Sequence, residues 1–213
     1  MTRVKVCGIM NEKDLDCAIA GGADAVGFIV EVEGSRHRIS AEDARELIKL
    51  VPVFTKSVAV IAPDSPEEAV LLAQKTGADL LQVHGTLEPE EIKELKKRVH
   101  QKIIAAVPPG VEAHRMAEAA DAVLLDTLKN GKLGGTGAVH DWSVSAAISR
   151  NLQIPVILAG GLNPSNIGAA IRTVKPYAVD VSSGVETAGR KDQEKVESFV
   201  REVRSCQQSQ AKR

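Results

Sequence analysis

The sequence predicts an α/β protein built as a single (β/α)8 barrel, the TIM-barrel architecture. Eight short apolar runs alternate with eight amphipathic segments along the 213 residues, and each run has the length of a strand buried on both faces of a parallel sheet. An Ala-Asp pair precedes the second, fourth and sixth runs, a repeat that suits alternate strands filling common core layers. An open doubly wound sheet is the alternative, because periodicity alone does not distinguish the two.

Local signals set the boundaries of these elements. Strands are predicted at residues 4–7, 25–30, 57–61, 80–83, 103–107, 122–125, 155–158 and 178–181. Capping residues and glycines give helices at residues 11–21, 40–51, 65–77, 89–99, 112–119, 143–150, 164–174 and 191–203. We assign residues 1–204 to one catalytic domain, and expect the polar segment 205–213 to be a disordered tail.

Composition argues against several classes of partner. A formal net charge of −1 gives no electrostatic reason to expect nucleic acid or a membrane surface, and no apolar run reaches the ~18 residues of a membrane span. The three cysteines, Cys7, Cys17 and Cys206, have neither metal nor disulfide spacing. We therefore expect no metal and a reducing, cytoplasmic location. Monomer and homodimer both stay open.

Cys7 ends the first predicted strand. Because side chains alternate along a strand, Lys5 and Cys7 share the inner face of the barrel. The same alternation turns Asp180 inward on the last strand, which neighbours the first in a closed barrel, so we expect Lys5 and Asp180 to meet. A nearby cation lowers the pKa of a thiol, which would make Cys7 a reactive thiolate; an inert buried cysteine is the alternative.

Asp126 follows three apolar residues at the end of the sixth predicted strand. Partial burial raises the pKa of a carboxyl, which suits a general acid, although Asp is also a common turn residue. The glycine-rich segment at residues 129–137 permits a mobile lid or a close backbone approach to ligand. His84 shares a strand face with Gln82 and is a candidate substrate contact.

Two loops have the pattern of a phosphate site. Paired glycines follow the seventh strand, before a helix that we expect Asn163 to cap and Pro164 to start. Small hydroxyl residues with a glycine follow the eighth strand. Loops in these places, with their exposed N–H groups and helix N-termini, bind phosphate in many such barrels, although ordinary tight turns have the same residues. The expected phosphate-binding residues are Gly160, Gly161, Asn163, Ser182, Ser183 and Gly184.

Stretches along nearly the whole chain resemble the phosphoribosylanthranilate isomerases of tryptophan biosynthesis. The most specific are Cys-Gly-Ile at 7–9 and Asp-Val-Ser-Ser-Gly-Val-Glu at 180–186; others lie at 82–85, 124–127, 134–137 and 159–164. The resemblance implies a barrel without metal or organic cofactor, with Cys7 as general base and Asp126 as general acid. The implied reaction is the Amadori rearrangement of N-(5-phosphoribosyl)anthranilate to 1-(2-carboxyphenylamino)-1-deoxyribulose 5-phosphate. Separately from the resemblance, we expect Asp180 and His84 to contact the substrate.

The chain departs from the family pattern in two places. The family usually has Ser-Pro-Arg after the second strand, where the arginine holds the anthranilate carboxylate, whereas residues 35–40 here read Ser-Arg-His-Arg-Ile-Ser. A direct match puts His37 in the arginine's place, and a shift of one residue offers Arg36 or Arg38, so the choice stays open. The family also tends to have Phe before Asp-Trp, where this chain has His140.

Two other functions fit parts of the pattern. A histidine-pathway barrel isomerase would use aspartates at the ends of strands one and six, and Cys7 argues against it. A non-catalytic sugar-phosphate sensor would need the phosphate loops but neither Cys7 nor Asp126.

Overall fold

Eight parallel strands close on themselves, with a helix after each strand. A computed structural model describes residues 1–85, 87–129, 132–133 and 140–210. Each strand pairs with the next along the chain, and the first pairs with both the second and the last, which closes the ring. The strands are β1 (Arg3–Cys7), β2 (Ala25–Val30), β3 (Lys56–Ile61), β4 (Leu80–His84), β5 (Lys102–Val107), β6 (Ala122–Leu125), β7 (Val156–Leu158) and β8 (Ala178–Val181). The predicted (β/α)8 barrel is confirmed, and the open sheet is wrong.

The helices connect the strands. They are α1 (Glu12–Ala20), α2 (Ala41–Ile48), α3 (Pro66–Thr76), α4 (Pro89–Arg98), α5 (Val111–Ala117), α6 (Trp142–Asn151), α7 (Ile167–Val174) and α8 (Gln193–Gln210). The side chains of Asn11, Ser40 and Ser65 each accept a hydrogen bond from the backbone N–H three residues later. Each cap satisfies an N–H group that the helix itself leaves unpaired.

Helix α7 begins later than the sequence predicts. It starts at Ile167 rather than at residue 164, because Asn163 forms a separate turn before it. The Oδ1 atom of Asn163 accepts hydrogen bonds from the N–H and the hydroxyl of Ser165 at 2.9 and 2.6 Å. The expectation that Asn163 caps α7 is therefore wrong, and the cap position falls to Asn166.

Helix α8 differs from the prediction at both ends. It starts two residues late, because Glu186–Thr187 and Arg190–Lys191 form a short antiparallel hairpin before it. It also runs through Gln210, whereas we expected a disordered tail from residue 205. Cys206 is buried and its thiol lies 3.9 Å from the carbonyl oxygen of Gly168, so contact with α7 extends the helix despite the polar composition. Residues 211–213 lie outside the described part of the chain.

A separate apolar layer fills the inside of the barrel, beneath the C-terminal ends of the strands. Its members come from alternate strand positions that point inward, as the period of two requires. The ten buried residues of this layer are Cys7, Val58, Val60, Ile104, Ala106, Ala122, Leu124, Ile157, Ala159 and Ala178. Cys7 is thus at the top of a packed core, where its neighbours exclude water from below.

The Ala-Asp repeat stabilises the N-terminal end of the barrel. Asp24, Asp79 and Asp121 each precede an even-numbered strand, and each accepts a hydrogen bond from the backbone N–H of the second residue of the preceding strand. The distances are 2.7, 2.8 and 2.9 Å, and the donors are Val4, Ser57 and Ile103. Each carboxylate thereby satisfies a backbone donor at the strand start and fixes an odd strand against the next even one.

Replacing Asp121 should therefore destabilise the fold. Burial alone would raise the pKa of Asp121, but hydrogen bonds from Ile103 and two lysines hold it below its usual value. We expect Asp121→Ala to lower the free energy of unfolding in urea by about 1–2 kcal/mol at pH 7. Because the folded-state pKa is depressed, this contribution is lost as the pH falls through it.

The matched control is Asp16→Ala, which removes an exposed carboxylate from α1. It should change the free energy of unfolding by less than about 0.5 kcal/mol. Equal losses in the two variants would contradict the structural account of the repeat.

Candidate active site

Five polar side chains from four strands meet inside the barrel at the C-terminal ends of those strands. They are Lys5, Cys7, His84, Asp126 and Asp180. The charges of Lys5 and Asp180 act on both Cys7 and Asp126, and the charge of Lys5 also acts on His84. These five residues, all of which the sequence analysis places at strand ends or inside the barrel, therefore belong to one site.

A buried ion pair joins the first and last strands at this site. Lys5 Nζ donates to Asp180 Oδ1 at 2.9 Å, and the two side chains are 4% and 10% exposed. The contact that the sequence predicts is confirmed. Gly27 on β2 leaves room for it, because a Cβ at that position would lie 2.8 Å from Cys7 Sγ and 3.0 Å from Lys5 Nζ.

Burial raises the pKa of Cys7 above its ordinary value. The loss of hydration outweighs the effect of the neighbouring Lys5 ammonium, and the negative charge of Asp180 raises the pKa further. The sequence correctly predicts a cation beside Cys7, but the predicted lowering of the pKa is wrong. The reason is that burial and the carboxylate paired with Lys5 both favour the neutral thiol.

Asp126 has a carboxyl whose pKa is raised to about 6. Burial is the main cause; the N–H of Thr127, which donates to Oδ1 at 2.7 Å, opposes it, and the charge of Asp180 adds to it. This direction agrees with the sequence prediction for a carboxyl at a strand end. A group with such a pKa can exchange a proton near neutral pH.

A hydrogen-bond chain behind Asp126 is not predicted by the sequence. His140 Nδ1 lies 3.1 Å from Thr127 Oγ1, and His140 Nε2 lies 2.6 Å from Ser145 Oγ. Burial lowers the pKa of His140, which favours the neutral imidazole. The ring links the residue after Asp126 to α6. The one indication of this hydrogen-bond chain in the sequence is His140 itself, which stands where the family tends to have Phe. Of the glycine-rich segment at 129–137, residues 130, 131 and 134–137 lie outside the described part of the chain.

His84 is a neutral hydrogen-bonding group at the end of β4. The amide Nε2 of Gln82 lies 2.7 Å from His84 Nε2. With the amide assigned in this orientation, Gln82 donates and His84 Nε2 accepts. The proton of the neutral imidazole is then on Nδ1. Burial, with a smaller effect of Lys5, lowers the pKa of His84 to about 4. His84 can therefore offer one N–H to a ligand but adds no positive charge at neutral pH.

The three basic candidates in the loop after β2 differ in position. His37 is 6% exposed and lies over Gly8, where an added Cβ would be 3.0 Å from both His37 Cγ and Ser182 Oγ. The Arg36 side chain is 60% exposed. Arg38 is also exposed, and its guanidinium lies 3.9 Å from a surface carboxylate. His37 alone of the three is packed against the residues that follow Cys7 and β8.

Glu186 and Lys191 form a buried ion pair that the sequence analysis does not single out. Lys191 Nζ lies 2.6 Å from Glu186 Oε1, and the side chains are 1% and 4% exposed. Glu186 Oε2 also accepts from Arg36 Nη2 at 2.7 Å. Glu186 Oε1 lies 3.0 Å from His37 Nε2, although the ring is not aligned for an N–H···O hydrogen bond. The one indication in the sequence that Glu186 has a role is its place at the end of the motif at residues 180–186.

The loops after β7 and β8 pack closely through their glycines. Gly160 and Gly161 have left-handed backbone, with φ of 87° and 63°, which residues with a Cβ rarely adopt. Gly184 lies against the first of these loops, because a Cβ there would be 1.8 Å from the carbonyl oxygen of Leu162. Residues Ser183–Val185 form a short 3-10 turn. The predicted phosphate residues are therefore adjacent, but the side-chain oxygen of Asn163 is occupied within its own turn.

Three further features bear on function. Within the described part of the chain, no three His, Cys, Asp or Glu side chains are arranged to hold a metal ion. None of the helices described above is both long and apolar enough to cross a membrane. All three cysteines are unpaired.

Known sequences match this chain over nearly its whole length. The sequence model of the family described as N-(5'phosphoribosyl)anthranilate (PRA) isomerase matches residues 4–202. The chain belongs to this PRA isomerase family. An N-(5'-phosphoribosyl)anthranilate isomerase of Methanothrix thermoacetophila is 60% identical over 208 residues, which cover 97% of this chain and 100% of that protein.

Solved structures of PRA isomerases have the same fold. The enzyme from Thermus thermophilus aligns with a TM-score of 0.83 at 33% identity, over 96% of this chain and 99% of that one. A PRA isomerase in complex with reduced 1-(o-carboxyphenylamino)-1-deoxyribulose 5-phosphate aligns with a TM-score of 0.81 at 33% identity, over 96% and 100%.

Converting Asp126 to an amide should stabilise this PRA isomerase family member at alkaline pH. A raised carboxyl pKa gives stability at low pH that is lost as the pH rises from the ordinary value of 3.8 to about 6. Asp126→Asn removes the carboxylate and still accepts from Thr127. We expect its free energy of unfolding to exceed that of the wild type by up to about 3 kcal/mol at pH 8, and to match it near pH 4.

Urea denaturation at both pH values measures the difference. Asp16→Asn, which changes an exposed carboxylate, should leave the free energy of unfolding unchanged at both. A variant Asp126→Asn that is less stable than the wild type at pH 8 would show that burial of the carboxylate is not costly.

Proposed function

We propose that this chain converts N-(5'-phosphoribosyl)anthranilate to 1-(2-carboxyphenylamino)-1-deoxyribulose 5-phosphate, with Cys7 as general base and Asp126 as general acid. As a member of its family the chain is an isomerase of tryptophan biosynthesis. The observation that carries the assignment of roles is that a thiol and a carboxyl of pKa about 6 both lie within reach of the charges of one buried ion pair.

The rearrangement needs one acid and one base. Asp126 delivers a proton to the ribose ring oxygen, which breaks the bond between that oxygen and C1 and leaves an iminium. Cys7 then takes the proton from C2, and the electron pair of the C–H bond forms an enolamine that neutralises the iminium. The enol tautomerises to the ketone of the product. Oxidation at C2 and reduction at C1 balance within the substrate, so no external oxidant or reductant takes part.

The productive protonation state differs from the resting one by the place of one proton. Between pH 6 and the raised pKa of Cys7, the resting pair is an ionised Asp126 and a neutral thiol. Moving the thiol proton to Asp126 gives the acid and the thiolate without exchange with solvent. Each unit of pKa difference between the two groups costs about 1.4 kcal/mol, so bound substrate has to favour this arrangement.

The two ends of the substrate carry negative charge and need separate partners. We assign the phosphate to the backbone of the loops after β7 and β8 and to the serine hydroxyls, since N–H groups at helix and turn starts bind anions. The residues of this seat are Gly160, Gly161, Ser182, Ser183 and Gly184, with Asn163 shaping the first loop.

The anthranilate carboxylate is assigned to the loop after β2. The burial of His37 over Gly8 and the contact of Arg36 with Glu186 support these two residues, whereas the ion pair that Arg38 forms is with the surface carboxylate of Glu33. His84 is proposed to donate its Nδ1 proton to a substrate oxygen, and Asp180 acts through Lys5.

The proposed class is a cofactor-independent aldose–ketose isomerase, an intramolecular oxidoreductase. The mechanism uses side chains alone, and the only partner that it requires is the small phosphorylated substrate. Three unpaired cysteines support a cytoplasmic location, because a reducing compartment keeps thiols free.

Cys7→Ser and Asp126→Asn should each lose most turnover. Each removes one proton transfer, which contributes ~10²–10⁴-fold, while leaving the binding loops in place. Loss of substrate fluorescence measures turnover, and titration with the reduced product analogue measures binding, which should stay within about threefold of the wild type. Cys17→Ser, at an equally buried thiol of α1, should keep wild-type turnover, and near-normal turnover in Cys7→Ser or Asp126→Asn would refute the role of that residue.

Gly184→Ala should weaken phosphate binding. The added methyl group would lie 1.8 Å from the carbonyl oxygen of Leu162, so the loops after β7 and β8 must separate. We expect the inhibition constant of inorganic phosphate to rise at least about tenfold, and soaked phosphate to bind the wild-type crystal between these loops. Gly168→Ala, in α7, where the atom nearest to an added Cβ is the flexible end of Arg172 at 3.2 Å, is the control; an equal effect there, or phosphate bound elsewhere only, would count against the assigned seat.

A further inference from the structure

Three basic side chains from two loops converge on the single carboxylate of Glu186. Lys191 Nζ lies 2.6 Å away, Arg36 Nη2 2.7 Å and His37 Nε2 3.0 Å. Burial would raise the pKa of Glu186, but its contacts with His37 and Lys191 lower it to about 2. The carboxylate is therefore ionised throughout the pH range in which enzymes are assayed.

The charges in this cluster do not balance. Arg36 and Lys191 carry two positive charges, and Glu186 is the one carboxylate among the described side chains within ion-pair distance of either. Lys191 is buried and paired with Glu186, so the surplus positive charge lies on the Arg36 guanidinium, which a second anion can approach from solvent. The exposed part of the cluster is the Arg36 guanidinium, because the Lys191 and Glu186 side chains are almost fully enclosed.

The cluster lies beside the proposed reaction centre. His37 and Ser182 both pack over Gly8, the residue after Cys7, and Lys191 Nζ approaches Ser182 Oγ at 3.4 Å. Glu186 therefore links the loop after β2 to the loop after β8, between the two places where the negative ends of the substrate are proposed to bind.

We propose that Glu186 is a positioning residue that holds Arg36 and His37 in place to bind the carboxylate on the aromatic ring of the substrate. The proposal rests on the proposed function, since that function supplies the aromatic carboxylate. Glu186 itself does not touch the substrate: it orients the two basic groups from behind, and Lys191 fixes the carboxylate of Glu186 in turn.

The test compares substrates with and without the carboxylate. Glu186→Gln keeps the shape of the side chain and removes its charge, and N-(5'-phosphoribosyl)aniline lacks the carboxylate of the natural substrate. We expect Glu186→Gln to raise KM for N-(5'-phosphoribosyl)anthranilate about tenfold or more, the effect of one lost charged hydrogen bond, with kcat within about twofold. The aniline compound should show the same kcat/KM in the variant and in the wild type.

Two controls keep the result specific. Glu33→Gln, at an exposed carboxylate near Arg38, should change neither substrate. Arg36→Gln removes a side chain that is 60% exposed, and should reproduce the loss for the anthranilate compound. The double variant of Glu186 and Arg36 should lose less than the product of the two single losses, because both act on one interaction.

Several results would overturn the proposal. An equal loss on both compounds would mean that Glu186 serves only the fold, and a raised inhibition constant for inorganic phosphate would mean that it serves the phosphate seat. No loss on either compound would exclude a positioning role. If the wild type fails to turn over the anthranilate compound, the proposed function fails instead, and titration with the reduced product analogue still tests Glu186.

Discussion

The buried ion pair of Lys5 and Asp180 is the constraint on which the site depends. Two charges inside a barrel are costly to remove from water, and they are tolerated because each is the other's partner. The pair also lies where β1 meets β8, at the seam that closes the barrel. Loss of either residue would leave an uncompensated charge beneath both reacting groups, so closure of the fold and the electrostatics of the site depend on one contact.

This pairing explains how Cys7 and Asp126 titrate. A lone lysine would lower the pKa of both groups and a lone aspartate would raise both, whereas the two together oppose one another at each site. Burial is then the largest influence on both, and it raises both pKa values because a thiol and a carboxyl are neutral when protonated. The site thus holds one proton that either group can carry, as an exchange between acid and base requires.

The strands and the inward-facing residues could be predicted because they follow local rules. The alternation that placed Lys5 and Asp180 inside needs only the boundaries of two strands and the closure of the barrel. The role of Glu186 could not be predicted, since its partners come from a loop some 150 residues away in sequence. The raised pKa of Cys7 could not be predicted either, because burial depends on the whole fold. For the same reason, the sequence does not show that His37 is buried while Arg36 and Arg38 beside it are exposed.

The pKa values of Asp79 and Asp121, at the N-terminal end of the barrel, and of Asp126, at the C-terminal end, are shifted in opposite directions. The number of hydrogen-bond donors to each carboxylate decides the direction of the shift. At the N-terminal end, Asp79 and Asp121 are buried in part, but backbone N–H groups and lysines together outweigh burial and lower each pKa, so the ionised forms stabilise the fold. At the C-terminal end, Asp126 has one N–H donor against deeper burial, and its ionised form is costly. The energetic cost of a tunable carboxyl is therefore confined to the end where a proton has to move, and the opposite end keeps the strands in register.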